Sequence, residues 1–98
     1  MGYQNRKIRE LVGAKVSAVK ADRDLTFQQM ADELSCGDLE ISRQRVHQWA
    51  SGQVAPSERA LRQMLRIYQR GSWQFDLAAA LMDYVMPGYS TWILASKS

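Results

Sequence analysis

The side chains with the clearest chemical potential lie in one stretch, Ile41 to Gly52, which reads ISRQRVHQWASG. It carries arginine and glutamine, whose paired hydrogen-bonding groups match the edges of DNA bases. An arginine can bond guanine O6 and N7 together, and a glutamine can bond adenine N6 and N7. Arg43 and Gln44 come first, and Gln48 follows one helical turn later. The stretch therefore has the chemistry needed to contact bases in a major groove.

The same stretch is predicted to form a short helix. Ser42 is a good N-cap because its side-chain oxygen can accept a backbone N–H of the first turn. Gly52 can end the helix in the left-handed conformation, and the spacing of Val46 and Trp49 puts both on an inward face. Arginines in a first turn oppose the helix dipole, which favours an anionic partner at that end. A surface helix with solvated charges is the alternative that these residues leave open.

Bulk properties predict one small globular domain, residues 1–98. The chain has 98 residues, of which 46% are hydrophobic, and this is enough for a packed core. No apolar run approaches the roughly 18 residues of a membrane span, and a polar, basic start argues against a signal peptide. The single cysteine, Cys36, excludes an internal disulfide. We therefore expect a reducing, cytoplasmic location.

The residue types present do not favour an enzyme. The chain has one histidine and one cysteine and no cluster of acids at metal-ligand spacing, which leaves little for acid–base, nucleophilic or metal catalysis. It also lacks a phosphate-binding loop and a dinucleotide fingerprint. We expect no catalytic residue, no metal, no cofactor and no small-molecule ligand.

The charges are segregated along the chain, although the formal net charge is only +3. Residues 41–70 contain six arginines and one acid, a net charge of +5, whereas residues 22–40 contain six acids and one arginine, a net charge of −5. Such segregation favours a basic face for a polyanion. The alternative is that the two segments neutralise each other in the fold. Four of the arginines are predicted to line one outer stripe of a helix, where they either reach phosphate or are solvated: Arg59, Arg62, Arg66 and Arg70.

Apolar spacing predicts five helices and little or no sheet. Besides the stretch described above, they cover about residues 5–21, 27–35, 57–70 and 73–86. Gly37 and Gly71 are expected to end the second and fourth helices. Gly13 lies inside the first helix, where glycine costs about 1 kcal/mol relative to alanine. It either permits close helix packing or has no role. The short apolar tail after Pro87 either forms a strand or lies against the core.

Residues 25–68 resemble the Cro/repressor-type helix-turn-helix family, which is XRE-like and lambda-repressor-like. In that family a small residue in the first motif helix is followed by two apolar anchors in the second, then by a glycine and a proline. The matching residues are Ala31, Val46, Trp49, Gly52 and Pro56. The resemblance implies an all-α, five-helix lambda-repressor-like domain with its motif at about 26–52, a C-terminal helix and a short apolar tail.

The turn of the motif departs from the family pattern. The family's turn has about three or four residues, whereas here the gap between the two helices is longer by about five, roughly Cys36 to Glu40. Either the second helix is extended or the turn is an enlarged loop.

By this resemblance the chain is a sequence-specific double-stranded DNA-binding regulator, most simply a repressor of phage or bacterial type. The side chains implied to contact bases are Arg43, Gln44 and Gln48. The side chains predicted to contact the DNA backbone are Gln28, Ser42, Arg45, His47, Ser51 and Gln53. The alternative is a protein-interaction module, antitoxin-like or an assembly adaptor, that keeps the scaffold without sequence-specific DNA contact.

A homodimer on a pseudopalindromic operator is also predicted. One recognition helix contacts only a few base pairs, and family members usually act as two-fold dimers. The helix-turn-helix core would end near Tyr68, so the large apolar residues of the extension, 73–98, suggest a self-complementary patch. The predicted dimer contacts are Trp73, Leu77, Leu81, Tyr84, Val85 and Trp92. The alternative is that the fifth helix completes the monomer core.

Overall fold

A computed structural model of the chain describes residues 6–86. Five helices follow one another: α1 (Arg6–Asp22), α2 (Phe27–Leu34), α3 (Arg43–Ala50), α4 (Glu58–Ile67) and α5 (Trp73–Val85). Over the described range there is no strand, and the β structure consists of an isolated bridge between Cys36 and Leu39. The all-α prediction is therefore confirmed for these residues. The predicted apolar tail, with Trp92, lies outside the described residues.

Side-chain caps fix where four of the helices begin. In each case an extended N-cap residue accepts, through its hydroxyl, the backbone N–H three residues ahead. The four caps are Thr26, Ser42, Ser57 and Ser72. At Thr26 the side chain of Gln29 also accepts the backbone N–H of the cap, at 2.8 Å, which completes a capping box. The cap predicted at Ser42 is confirmed, and α2 and α4 begin within one residue of their predicted starts.

The helices enclose one apolar core. α1 packs against α3 and α5, α2 packs against α3, and α4 packs against α5. The largest fully buried side chains come from all five helices: Val12, Val16, Met30, Leu34, Val46, Leu61, Leu81 and Met82. Among the described helices, none is long and apolar enough to cross a membrane.

The base of the linker between α2 and α3 is closed by one side chain. α2 ends at Leu34 because Ser35 takes an extended conformation, with φ −80° and ψ 131°. The Ser35 hydroxyl accepts the backbone N–H of Ile41 at 2.9 Å. As a donor it lies 2.8 Å from the carbonyl of Ala31 and 3.1 Å from that of Ile41. Ser35 thus ties the end of α2 to the residue that precedes the cap of α3.

The tip of this linker is a tight turn rather than an extension of α2. Cys36 and Leu39 exchange two backbone hydrogen bonds of 2.9 Å, and Gly37 between them has φ +58°. Leu39 is buried, whereas Asp38 and Glu40 are exposed. Of the two alternatives, the enlarged loop is correct. The prediction that Gly37 ends α2 is wrong, because the helix has already ended at Ser35.

α4 is also shorter than predicted. It ends at Ile67, since Tyr68 has extended backbone, with φ −71° and ψ 145°. The Tyr68 hydroxyl donates a hydrogen bond to the carbonyl of Leu34 at the end of α2. Gly71 has φ +92° but lies in the turn that follows, so the prediction that it closes α4 is wrong. Burial raises the pKa of the Tyr68 hydroxyl above its ordinary value, with Cys36 as a smaller cause.

Tyr68 is expected to make stability depend on pH in the alkaline range. Its contribution is fully present below the ordinary tyrosine pKa of about 10 and is lost as pH rises beyond it, because the unfolded chain releases a proton that the folded chain retains. Tyr68→Phe should cost about 0.5–1.5 kcal/mol at neutral pH and then show a shallower alkaline decline. Urea unfolding from pH 7 to about pH 11 measures both effects. Tyr84→Phe is the control and should keep the wild-type decline; equal slopes for wild type and Tyr68→Phe would contradict the assignment.

α5 completes the core of the single chain. Its buried side chains are Phe75, Leu77, Ala78, Leu81 and Met82, none more than 4% exposed. The predicted dimer contacts at Leu77 and Leu81 are therefore corrected: both side chains already pack inside one chain and offer no surface to another. Trp73, Tyr84 and Val85 are half-buried and retain some outer surface.

Candidate nucleic-acid interface

α3 separates its side chains into a buried apolar face and an outer polar face. Val46 and Trp49 are 0% and 3% exposed, on a helix that packs against α1 and α2. The outer side chains are Arg43, Gln44, Arg45 and His47, all exposed, with Gln48 half-buried. Nearly every group on the outer face can donate or accept hydrogen bonds.

The start of α3 is fixed by its cap. The exposed Ser42 accepts the backbone N–H of Arg45 at 3.1 Å. A shallow groove of about 480 Å³ runs beside this cap. Its lining residues are Ser35, Glu40, Ile41, Ser42 and Arg45. An exposed acid from the turn and an exposed arginine of α3 therefore share one groove.

An aromatic contact holds the middle of α3 against the start of α2. The rings of Phe27 and His47 lie 5.1 Å apart between centroids and meet at 81°, a favourable edge-on arrangement. The Lys20 ammonium of α1 lies 4.7 Å from the centroid of the same Phe27 ring, within the range of a cation–π interaction. Gln28 is exposed next to Phe27 and donates to Asp32 at 2.9 Å. The first turn of α2 thus lies beside α3, as the predicted role of Gln28 requires.

Two predicted DNA-backbone residues lie at the other end of α3. Gly52 has φ +78° and ends the helix as expected. The exposed Ser51 donates through its hydroxyl to the carbonyl of Gln48 at 3.2 Å. The exposed Gln53 donates its backbone N–H to the same carbonyl at 3.0 Å. An eight-residue helix is about 12 Å long. Ser51 and Gln53 therefore lie close to Gln48, at the opposite end of α3 from Arg43.

Gly13 and Ser17 of α1 form the surface against which the C-terminal end of α3 packs, called the seat below. A Cβ at Gly13 would lie 2.9 Å from the carbonyl oxygen of Ala50, and 3.2 Å from the carbonyl oxygen of Trp49 and from the backbone nitrogen of Gly52. The Ser17 hydroxyl, one turn along α1, donates to the carbonyl of Ala50 at 3.4 Å. Of the two interpretations of Gly13, close helix packing is therefore correct.

The predicted arginine stripe is reduced to three members on α4. Arg59, Arg62 and Arg66 line an open groove of about 610 Å³ together with Glu58, and Arg62 forms an ion pair with Glu58 at 2.8 Å. Arg70 lies beyond the end of α4, with its guanidinium 5.8 Å from the centroid of the Phe75 ring. The inclusion of Arg70 in the stripe is corrected, because the helix that would carry it ends at Ile67.

Three residues of this surface were missed by the sequence analysis: Ser17, which contacts Ala50, Lys20, and Phe27, which lies between Lys20 and His47. The sequence signal for Phe27 is only an aromatic residue next to a helix cap. Its position between Lys20 and His47 depends on how the three helices cross.

Comparisons of the chain with protein-family models, with curated proteins and with solved structures found no match. What α3 can bind therefore has to be inferred from its own side chains and from the elements that hold them.

Proposed function

We propose that the chain is a sequence-specific double-stranded DNA-binding regulator, most simply a repressor, of the lambda-repressor-like helix-turn-helix type. α2 and α3 would be the two motif helices, with α3 in the major groove. The observation that carries the proposal is the division of α3: Val46 and Trp49 anchor it, while Arg43 and Gln44 are exposed in its first turn. Arginine and glutamine are the side chains that pair bidentately with guanine and adenine.

The residues have separate roles in this proposal. Arg43, Gln44 and Gln48 contact bases and determine the sequence that is bound. The side chains that contact phosphate or sugar, and so fix orientation, are Gln28, Ser42, Arg45, His47, Ser51 and Gln53.

The proposed partner is a pseudopalindromic operator bound by a homodimer. Two copies of α3 would then enter half-sites roughly 34 Å apart. With Leu77 and Leu81 committed to the core, the described candidates for dimer contact are the half-buried Trp73, Tyr84 and Val85. The Trp73 side chain also donates to Glu33 at 3.1 Å, so one edge of its ring is already engaged within the chain.

One feature favours the alternative, a protein-interaction module without sequence-specific DNA contact. The exposed acids Asp38 and Glu40 lie in the turn that leads into α3, and Glu40 lines the groove that Arg45 also lines. Carboxylates at this edge would oppose phosphate, whereas a basic protein surface would accept them.

Salt dependence of DNA binding tests the proposal. Log affinity for a duplex selected from random sequence should fall linearly with log salt, at a slope of about −0.9 for each phosphate neutralised. Fluorescence anisotropy between about 50 and 200 mM salt measures this slope. Arg45→Gln should make the slope shallower by about one unit. The matched control is Lys15→Gln on the α5 side of α1, where Lys15 lines a groove with Trp73 and Asp76; its slope should equal that of wild type. A flat salt response would reject DNA as the partner and leave the interaction module.

A further inference from the structure

The C-terminal end of α3 approaches the backbone of α1 more closely than a side chain would permit. Three backbone atoms, from Trp49, Ala50 and Gly52, lie within 3.2 Å of the position that a Cβ of Gly13 would occupy. The nearest, the Ala50 oxygen, is at 2.9 Å. All three belong to the backbone, so they can give way only if α1 and α3 move apart.

The required movement is large enough to matter for base contacts. Ordinary carbon contacts lie at about 3.5–4.0 Å, so an added methyl group at Gly13 would displace α3 by roughly half an ångström. Polar recognition sites need their groups held to about 0.5 Å. The rest of α3 cannot easily move with its C-terminal end. Hydrogen bonds of Ser35 and Ser42 hold the start of the helix, and His47 packs against Phe27.

We infer that Gly13 is a positioning residue for the DNA-contacting surface: its missing side chain sets how deeply α3 lies on α1, and thereby where Arg43, Gln44 and Gln48 present their hydrogen-bonding groups. This inference rests on the proposed function. Gly13 itself touches no DNA; it acts through the backbone of residues 49–52. Ser17 supports the same seat through its hydrogen bond to the carbonyl of Ala50.

Gly13→Ala separates this role from a merely structural one. Affinity for the selected duplex should fall by about ten-fold, within the range that a displaced bidentate base contact would cost. Affinity for a duplex of scrambled sequence, and its salt slope, should stay within about two-fold of wild type, because phosphate contacts tolerate small shifts. Ala14→Gly is the matched control: Ala14 is the next residue of α1 and is exposed. It loses helix stability but should keep the wild-type ratio of the two affinities.

A second measurement needs no DNA. In ¹⁵N–¹H correlation spectra of the free chain, Gly13→Ala should shift the amide signals of all of α3, whereas Ala14→Gly should shift those of α1 alone. Ser17→Ala adds no atom and Ser17 is exposed, so this variant is expected to fold; smaller shifts in the same α3 signals support the seat even if Gly13→Ala does not fold.

The outcomes distinguish the inference from the proposal beneath it. A wild-type chain that prefers no duplex sequence overturns both. A wild-type chain that does discriminate, together with a Gly13→Ala variant of unchanged discrimination and unchanged α3 signals, overturns the positioning role alone. The same follows if Ala14→Gly loses discrimination as much as Gly13→Ala does, since the cause would then be stability.

Discussion

Replacing Trp49 by alanine is expected to lower the free energy of unfolding by about 3–5 kcal/mol. The side chain is 3% exposed and belongs to the core, on the part of α3 that rests on α1. Truncation would remove the transfer free energy of an indole and leave a cavity that the close backbone contact at Gly13 prevents from collapsing. Since small domains are stable by about 5–15 kcal/mol, this loss is a large fraction of the total stability. Urea denaturation measures it through the midpoint.

Trp49→Phe is the control for this prediction. The indole Nε1 is buried without a hydrogen-bond partner among the described residues, so phenylalanine removes an unsatisfied donor while it keeps most of the apolar contact. We expect it to cost far less than Trp49→Ala. Equal losses for the two substitutions would mean that the indole nitrogen has a partner and that packing is not the main contribution.

Arg43→Ala and Gln44→Ala are each expected to lower specific DNA affinity by about 1–3 kcal/mol and to relax base preference at one position. Both side chains are exposed, and neither belongs to the core, so stability should change little. Selection from random duplexes, followed by anisotropy on the selected site, measures preference and affinity together. Unchanged preference in both variants would show that these residues do not contact bases.

Two further substitutions separate charge from geometry. Arg43→Lys keeps the positive charge but lacks the bidentate fork, so it should preserve the salt slope and still lose base preference. Arg45→Ala should do the opposite: it should weaken binding to all sequences about equally and keep the preference. If Arg43→Lys retained the wild-type preference, charge alone would explain the role of Arg43.

The helix starts could be predicted because they are local. A hydroxyl residue followed by apolar residues at helical spacing is enough to place a cap. Ser42 and Ser57 both cap their helices in the structure. The ends of α2 and α4 could not be predicted, because they depend on tertiary contacts. Ser35 leaves the helical conformation where it bonds to Ile41, and Tyr68 does so where its hydroxyl reaches Leu34. The sequence analysis placed the ends of α2 and α4 too late, at Gly37 and Gly71. A glycine is only one of several features that end a helix.

The residue types of the candidate interface could be predicted from the sequence, but the contacts that hold α3 in place could not. The outward Arg43 and the inward Trp49 follow from helical periodicity alone. The fit of Gly13 against Ala50 requires knowing that α1 crosses α3 at that residue. The apolar residues of α5 show the same limit: composition says that Leu81 must be covered, but not whether its own chain or a second copy covers it.

Because the base of the turn between α2 and α3 is closed by hydrogen bonds, the number of residues at its tip does not determine how the two helices are held together. Ser35 and Ile41 are joined directly, and Leu39 between them packs into the core, so the exposed tip at Gly37 and Asp38 is not needed to hold the two helices together. Residues could be inserted or deleted around Gly37, which is exposed and has open space around it, without changing the crossing of the two helices. The tip can therefore diverge in length and sequence while the surface formed by α2 and α3 stays the same.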